Sequence, residues 1–529
     1  MAIFTFTNVA VSLFSLYVGR RIYWEATTGS RRRALAKQNG ALPCTPRVTN
    51  LPSFLPTLGI DFFISNLRTY KQKRLLEHWQ QDLMKAKAHT ISLDLLGKRL
   101  YITDDPEIVK ALLATNFDTW SLGQDRIKQM VDYLGHGVFT NEGAAWKHSR
   151  EMLRPCFERH QVADTSLFAK HMDRFITVLP TDGRTIDLQP LCHELTLDIA
   201  TEFLFGRSTD SLKREEKTKE VAEFVEAFEY CADPFLSEQY DKWGWVGLLL
   251  PDKKRKRCAQ TIKGNNCLRG YIATNTDQDT DFADRIIDEE LTAKAKAQGS
   301  QQNRYIFLDE LISATSDRTV IRSELLNILL AGRDTTAALL SNVLWELPRH
   351  PDIMSRLRAE ITEFIGADIP TYEQLKEMKY LRAIINESQR LYPIVPSNSR
   401  ECLHDTTLPR GGGPDGSAPI LVPKGAYVAY HTYSMHRRPD IYGADAAEFK
   451  PERWLTPGFR PGWAYIPFSG GPRVCIGQNF ALTEAMFVVV RLLQVFEIEG
   501  RDEDVWREKL SITCTGAGGC KVGLKPRGS

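Results

Sequence analysis

The chain has 529 residues, of which 43% are apolar and 25% are charged, and its formal net charge is +2. These values are ordinary for a globular protein with a large core, and the small net charge argues against a nucleic-acid binder that works through bulk charge. Ten cysteines are scattered without CxxC pairs or zinc-type spacing, which predicts reduced thiols in a cytosol-facing protein.

The N-terminus is an apolar run from Ala2 to Val18, followed by a basic cluster that begins at Arg20. Because the positive charge follows the run, residues 1–24 favour an uncleaved membrane anchor over a secretory signal peptide, with everything downstream on the cytosolic side. The run is short for a span, so an anchor lying in the membrane interface is the alternative. Residues 25–60 are basic and Pro-rich, which predicts a stiff linker to a catalytic domain over 61–529.

Apolar periodicity predicts a mainly α fold with small β-sheets, that is, an α+β class. The first part of that domain predicts a strand pair over 89–105, then helices over Pro106–Phe117 and Trp146–Arg159. Between these helices, the mixed, glycine-containing sequence from Asp118 to Gly143 predicts a loop that covers a ligand. A later segment with Trp243 and Trp245 is interpreted as a lid or a second membrane contact.

The second half predicts a long helix over Ser323–Leu347, of roughly 38 Å at 1.5 Å per residue. A further helix is predicted over Tyr372–Leu391, and strands over Ile420–Val422 and Tyr427–Tyr430. The last predicted element is a hairpin that pairs 510–514 with 521–524.

One cysteine lies in the loop FSGGPRVCIG, from Phe468 to Gly477, just before a helix-like run. A thiolate before a helix start is stabilised by the positive end of the helix, and Arg473 can pair with an anion nearby. Together with the glycines, Cys475 and Arg473 indicate a haem whose axial iron ligand is a thiolate. Taken alone, Cys475 favours a buried structural cysteine in a tight turn.

The long helix contains AGRDTT, from Ala331 to Thr336. Gly332 is a poor helix former, and Asp334 and Thr335 are polar groups in an apolar helix. A groove at Gly332 could admit O2, while Thr335 bonds the oxygen and Asp334 supplies protons. The alternative has Arg333 and Asp334 facing solvent and Thr335 bonded to its own helix.

Two further pairs lie on helices. Glu387 and Arg390 share one helix face, where such pairs are usually surface salt bridges, unless Arg453 of FKPERW joins them in a buried triad. Trp146 and Arg150 also share a face, and Arg150 can bind a haem propionate beside Trp146.

These motifs, in this order, resemble the cytochrome P450 family over nearly the whole chain. FSGGPRVCIG matches its haem signature and AGRDTT its oxygen-activating motif, and ESQR, FKPERW and WKHSR match the others. The resemblance implies the P450 fold, with haem b between the long helix and the helix after the cysteine loop. It implies Cys475 as the iron ligand and haem contacts from Phe468, Gly477, Trp146, Arg150, Arg400 and Arg473.

WKHSREMLRPCF, TTLPRGGGPDG and GGPRVCIGQNFALTEA are similar to the fungal membrane-bound subgroup that hydroxylates alkanes and fatty acids. The resemblance implies insertion of one oxygen atom of O2 into a C–H bond of an apolar substrate, with electrons from NADPH through NADPH-cytochrome P450 reductase. It also implies contact with membrane lipid at the endoplasmic reticulum. Ser469 and Gln389 depart from the subgroup.

Three alternatives stay open. The first is oxidation of an alkyl-bearing fungal specialised metabolite by the same chemistry. The second is a haem-thiolate rearrangement catalyst, which would have no need of Asp334 and Thr335 for proton delivery. The third is a haem electron carrier or sensor. The long apolar helix and the predicted lid argue against it, because they favour a substrate cavity.

Overall fold

A computed structural model describes residues 2–49, 59–95, 97–213, 219–233, 250–263 and 307–528 of the chain. The segment with Trp243 and Trp245 and part of the Pro-rich linker lie outside these residues. Within them helices dominate and the strands form four small sheets, which confirms the predicted mainly α class.

The α-helices of the first half of the chain span Ala2–Trp24, Ser30–Gln38, Ile60–Lys71, Leu75–Ala86, Pro106–Lys110, Gln124–Leu134, Gly143–Leu153, Arg159–Val162, Ser166–Val178, Leu188–Phe205, Lys219–Ala232 and Lys253–Lys263. Those of the second half span Phe307–Ala314, Arg318–Glu346, Pro351–Phe364, Tyr372–Glu377, Lys379–Leu391, Thr432–Met435, Pro439–Tyr442 and Gln478–Val495. We refer to Leu188–Phe205 as the flanking helix, Arg318–Glu346 as the central helix and Gln478–Val495 as the signature helix.

The N-terminal helix continues through a π-helical turn, Glu25–Gly29, into Ser30–Gln38. The side chain of Arg32 binds both carboxylate oxygens of Asp405 at 3.1 Å, and the backbone N–H of Lys424 donates to the same carboxylate at 2.8 Å. These contacts tie the helix to the body of the protein. None of the helices in the described part of the chain is long and apolar enough to cross a membrane.

The largest sheet has six strands in the order Thr45–Pro46, Thr90–Leu95, Lys98–Thr103, Tyr427–His431, Ser397–Cys402 and Trp120–Ser121. The second and third strands are the predicted pair over 89–105, with Thr90 opposite Thr103. Tyr427–His431 runs parallel to Lys98–Thr103, so the sheet joins the start of the domain to its last third.

The other sheets confirm the predicted strand over Ile420–Val422 and correct one predicted strand pairing. Ala418–Val422 pairs with Thr406–Gly412. The predicted hairpin of 510–514 with 521–524 is wrong: Lys521–Pro526 pairs with Phe496–Gly500 and Thr185–Asp187, and Cys514–Gly516 pairs with Glu508–Leu510. Distant partners cover both edges of Lys521–Pro526, whose apolar side chains Val522 and Leu524 are buried.

The central helix begins at Arg318, before the predicted Ser323, because the side chain of Asp317 accepts the backbone N–H groups of Thr319 and Val320. Its 29 residues make it roughly 44 Å long at 1.5 Å per residue. The C-terminal half of the central helix and the signature helix both contribute many side chains to the largest buried apolar cluster of the described residues. The central helix therefore crosses the protein next to the cysteine loop's own helix.

Two further helix predictions are corrected. The predicted helix over Tyr372–Leu391 is interrupted at Met378, because the carboxylate of Glu360 accepts the backbone N–H groups of Tyr380 and Leu381 and so caps a second helix. The predicted loop between Asp118 and Gly143 contains the helix Gln124–Leu134.

Candidate functional site

The cysteine loop is closed on itself by a hydrogen bond from the backbone N–H of Cys475 to the carbonyl oxygen of Phe468, at 2.9 Å. The backbone turns at Gly471, where φ is +66°, and a Cβ there would lie 1.8 Å from the carbonyl oxygen of Leu113. Only glycine fits this position. Phe468 packs against the core around the signature helix, so the loop is held at both ends.

The Cys475 side chain precedes the signature helix, whose N-cap is Gly477. It is surrounded by protein atoms yet keeps exposed surface, on a cavity of about 560 Å³ that Arg150 also lines. Burial raises the pKa of the Cys475 thiol, whereas the backbone N–H of Gly477 and the charge of Arg150 lower it. A bound metal cation would reverse the effect of burial and deprotonate the sulfur, so the residue fits an iron ligand.

A group of arginine side chains lies near this loop. The Arg473 guanidinium stacks on the Trp146 ring at 4.4 Å and donates to the carbonyl oxygen of Asn141 at 2.9 Å. Arg126 and Arg400 both donate to Oδ1 of Asn398, at 2.6 Å and 3.1 Å.

Burial, together with the positive charge of Arg400, lowers the pKa values of both Arg126 and Arg473 to about 10. The carboxylate of Glu142 also acts on these groups, but its oxygens already accept from Ser121 and from the backbone N–H of Leu122. The cluster therefore keeps an excess of positive charge, and its planar donors fit the carboxylates of a haem.

Of this arginine cluster, sequence reasoning missed Arg126. It lies on the helix Gln124–Leu134, in the stretch predicted to be a loop. The available signal was the helical spacing of Ile127, Met130 and Leu134. Arg150 stands apart from Asn398: it is half-buried and lines the same cavity as Cys475, which places it beside the thiol.

The AGRDTT motif occupies the middle of the central helix. The Arg333 side chain is 6% exposed and the Asp334 side chain 14%, so the alternative in which both face solvent is wrong. Arg333 lowers the pKa of Asp334 although burial raises it, and the net shift is downward. The hydroxyl of Thr335 donates to the carbonyl oxygen of Ala331 at 2.6 Å, as the alternative for that residue anticipated.

The Glu387–Arg390–Arg453 triad is assembled and buried. Arg390 donates twice to the Glu387 carboxylate at 2.8 Å, and Nε of Arg453 donates to it at 2.9 Å. The side chains of Glu387 and Arg390 are fully buried, so the surface-salt-bridge alternative is wrong. Arg390 also donates to the carbonyl oxygens of His436 and Ala446, which ties its helix to the chain that leads to the cysteine loop.

The geometry above agrees with what comparison with known proteins shows. The family model for cytochrome P450 matches residues 55–514. Cytochrome P450 monooxygenase himC of Aspergillus japonicus is 39% identical over 524 residues, which cover 99% of this chain and 90% of that protein. Cytochrome P450 monooxygenase fsdH of Fusarium heterosporum is 39% identical over 507 residues, 94% of this chain and 85% of that protein.

Cytochrome P450 52A13 of Debaryomyces hansenii is 43% identical over 465 residues, which cover 85% of this chain and 86% of that protein. The similarity thus extends over nearly the full length of both partners. The chain belongs to the cytochrome P450 family and is a haem-thiolate monooxygenase.

Proposed function

We propose that this monooxygenase hydroxylates an apolar alkyl chain, such as the end of a fatty acid or an alkane, with electrons from NADPH through NADPH-cytochrome P450 reductase. One oxygen atom of O2 enters the C–H bond, and the other leaves as water with two protons. The observation that carries the proposal is a carboxyl and a hydroxyl, Asp334 and Thr335, next to each other inside a buried helix beside the signature helix.

Each residue has a defined part in this reaction. A haem held through a thiolate would supply the activation of O2. Cys475 would hold the iron, while Arg126, Arg400 and Arg473 would hold the haem carboxylates. The space beside Gly332, predicted to be a groove for O2, is occupied by the flanking helix, because a Cβ at Gly332 would lie 3.4 Å from the Cβ of Ala200.

The central helix carries the residues that transfer protons. Asp334 has a lowered pKa, so it is ionised at neutral pH and can accept a proton and pass it on. The Thr335 hydroxyl is held by the Ala331 carbonyl, and turning its hydrogen away costs one hydrogen bond, about 1 kcal/mol. The pair can therefore carry protons inward without any backbone movement.

The similarity of WKHSREMLRPCF and GGPRVCIGQNFALTEA to the alkane- and fatty-acid-hydroxylating subgroup supports an alkyl substrate. The second candidate is an alkyl-bearing fungal specialised metabolite. It stays a candidate because Ser469 and Gln389 depart from that subgroup.

The cavity beside Cys475 supports docking of a reductase on this face. The cavity is lined by Arg150, Arg154 and Arg159 and by one acidic residue, Glu158, and Arg159 is paired with Glu373 outside it. Lys147 and His148 are exposed on the adjoining helix. A basic surface of this kind favours an acidic partner, and its contribution falls as salt screens it.

The N-terminal helix supports a membrane anchor over 1–24, with 25–60 as the linker and 61–529 as the catalytic domain. Phe14, Leu16 and Tyr17 are each exposed by more than 60%. Apolar side chains exposed in such numbers mark a lipid or protein contact. We infer that this helix attaches the enzyme to the endoplasmic reticulum membrane, with the catalytic domain in the cytosol.

The test uses the full chain with reductase, NADPH and ¹⁸O2. Hexadecane, dodecanoic acid and an alkyl-bearing polyketide are titrated while the Soret absorption is recorded, and products are analysed by mass spectrometry. We expect one of the first two to shift the spectrum and to gain one ¹⁸O atom. A response to the polyketide alone would support the second candidate.

Cys475→Ser is the matched control for this experiment. It should lose the thiolate-type absorption of the reduced carbon-monoxide complex and all product. Retention of that absorption would overturn the assignment of the iron ligand. Wild-type protein that binds haem but neither consumes NADPH nor forms a product would overturn the monooxygenase reaction itself.

A further inference from the structure

One face of the flanking helix packs against the AGRDTT motif of the central helix. The Thr196 hydroxyl donates to the carbonyl oxygen of Arg333 at 2.8 Å, and a Cβ added to Gly332 would lie 3.4 Å from the Cβ of Ala200. His193 is three residues before Thr196, and residues spaced in this way share a helix face. His193 therefore makes the third contact on this face, and its imidazole faces Asp334.

The polar atoms around Asp334 are close to one another but not bonded. Nδ1 of His193 and Nη1 of Arg333 each lie 3.5 Å from Oδ1 of Asp334. Among the described residues, neither of these nitrogens has a hydrogen-bond partner, nor does Nε of Arg333, although all three atoms are buried. Charged hydrogen bonds are normally 2.7–2.9 Å long.

An unbonded buried polar group costs about 1–3 kcal/mol, so three of them around one carboxylate need an explanation. A water molecule that bridges polar groups separated by this distance satisfies them at little cost. The His193 side chain is 23% exposed while its Nδ1 is buried, so the rest of the ring reaches toward solvent. The imidazole thus connects the protein surface with the Asp334 carboxylate.

We propose that His193 is a positioning residue for proton delivery, which with Arg333 holds a bridging water against Asp334. A proton enters at the other ring nitrogen as one leaves from Nδ1 through the water to Asp334. Each transfer therefore leaves the neutral imidazole in its other tautomer, which must revert before the next transfer. The inference rests on the proposed monooxygenase function and extends the proton route from Asp334 to the surface.

Other charged groups also act on Asp334. Arg333 is on the same helix, and its Nη2 lies 3.8 Å from Glu229 of the helix Lys219–Ala232. Lys509, on the strand Glu508–Leu510, also lowers the pKa of Asp334. Of the groups named, His193 is the one whose neutral side chain has one nitrogen that accepts a hydrogen bond and one that donates.

The test compares His193→Phe with His193→Gln in the full enzyme with reductase, NADPH and dodecanoic acid or hexadecane as the probe. Phenylalanine keeps the ring shape without polar atoms, whereas glutamine keeps hydrogen bonding. For His193→Phe we expect the ratio of product to released hydrogen peroxide to fall by about ten-fold, below the range for direct acid–base groups. His193→Gln should recover part of the ratio, and KM for the probe should not change.

A second experiment supplies the same enzymes with hydrogen peroxide in place of O2 and NADPH. Peroxide brings its own protons, so His193→Phe should match the wild type under these conditions. Thr196→Val is the matched control, because it removes hydrogen bonds to the backbone carbonyls of Arg333 and His193 but none to the side-chain atoms around Asp334. Its product ratio should stay at the wild-type value.

Two results would overturn the proposal while leaving the monooxygenase function intact. The first is an unchanged product ratio in His193→Phe. The second is an equal loss of activity with peroxide, which would mean that the substitution damages the structure of the site. If the wild type forms no product from either probe although it binds haem, the proposed function fails, and this inference fails with it.

Discussion

The Glu387–Arg390–Arg453 triad and the group around Asp334 are both built from buried charges, but only the first is fully bonded. In the triad every ion pair is a hydrogen bond of 2.8–2.9 Å, and Glu387 also accepts from Trp454 and from the backbone N–H of Lys450. Around Asp334 the corresponding distances are 3.5 Å.

The difference separates two uses of buried charge. A carboxylate with all its acceptor positions filled cannot exchange protons without breaking several bonds, so the triad holds the fold. A carboxylate with open positions can bind water and exchange protons, at a cost in stability that the rest of the core offsets. Substitutions in the two groups should therefore affect different measured quantities.

The largest effect is expected for Glu387→Ala. This change leaves Arg390 and Arg453 as uncompensated buried charges, which destabilises a protein by about 3–5 kcal/mol. The free energy of unfolding, measured with guanidinium chloride, should fall by this amount. Arg99→Ala is the control, since it breaks an exposed pair with Asp94 and should leave stability near the wild-type value. A loss below about 1 kcal/mol in Glu387→Ala would contradict the structural role.

Arg126→Met removes one of several like charges, and so tests a buried charge with which no carboxylate of the described residues pairs directly. We expect the haem-free protein to be no less stable, since Arg126 and Arg400 repel each other. Haem affinity should fall by about ten-fold or more, because a hydrogen bond to a charged group contributes about 1.5–3 kcal/mol.

The measurement for Arg126→Met is the rate of haem transfer to excess apomyoglobin, with Arg126→Lys as the charge-retaining control. An unchanged transfer rate would remove Arg126 from the haem-carboxylate site. A large loss of stability in the haem-free protein would instead make Arg126 a structural residue like Arg390.

Thr196→Val should have a smaller effect. It removes the hydroxyl that donates to the Arg333 carbonyl at 2.8 Å and, more weakly, to the His193 carbonyl at 3.3 Å, and such a neutral interaction is worth about 1 kcal/mol. Urea denaturation should show this loss, together with wild-type haem content. A loss greater than about 3 kcal/mol would mean that Thr196 does more than tie the two helices together.

The smallest effect is expected at a half-buried pair, His350 with Glu346, at 3.1 Å. The hydrogen bond to Glu346 raises the pKa of His350. The pair therefore stabilises the protein fully below about pH 6.5, the usual histidine value, and loses its contribution as the pH rises through the raised pKa. The Tm difference between wild type and His350→Gln should shrink between about pH 5.5 and about pH 8.5. A difference that grows with pH would contradict the pairing.

Local patterns predicted the parts of the site that lie on single segments. Cys475 in its glycine-rich loop, AGRDTT within one helix, and the Glu387–Arg390 pair are each readable from a few neighbouring residues. Arg126 and His193 are different, because their roles depend on which helices face each other. The same limit explains the strand Lys521–Pro526, which joined distant partners and not its neighbour in the chain.

The contact between Arg32 and Asp405 has a mechanical consequence. The N-terminal helix and its continuation to Gln38 extend over roughly 55 Å at 1.5 Å per residue. Since the contact lies near one end, the helix is a lever with its fulcrum at Asp405, next to the hairpin of Thr406–Gly412 and Ala418–Val422. A force on the far end would be transmitted as torque to the catalytic body. Removing Arg32 would weaken this transmission but not abolish it, because Arg31 also contacts Asp405 and the backbone N–H of Leu42 is bonded to Pro419.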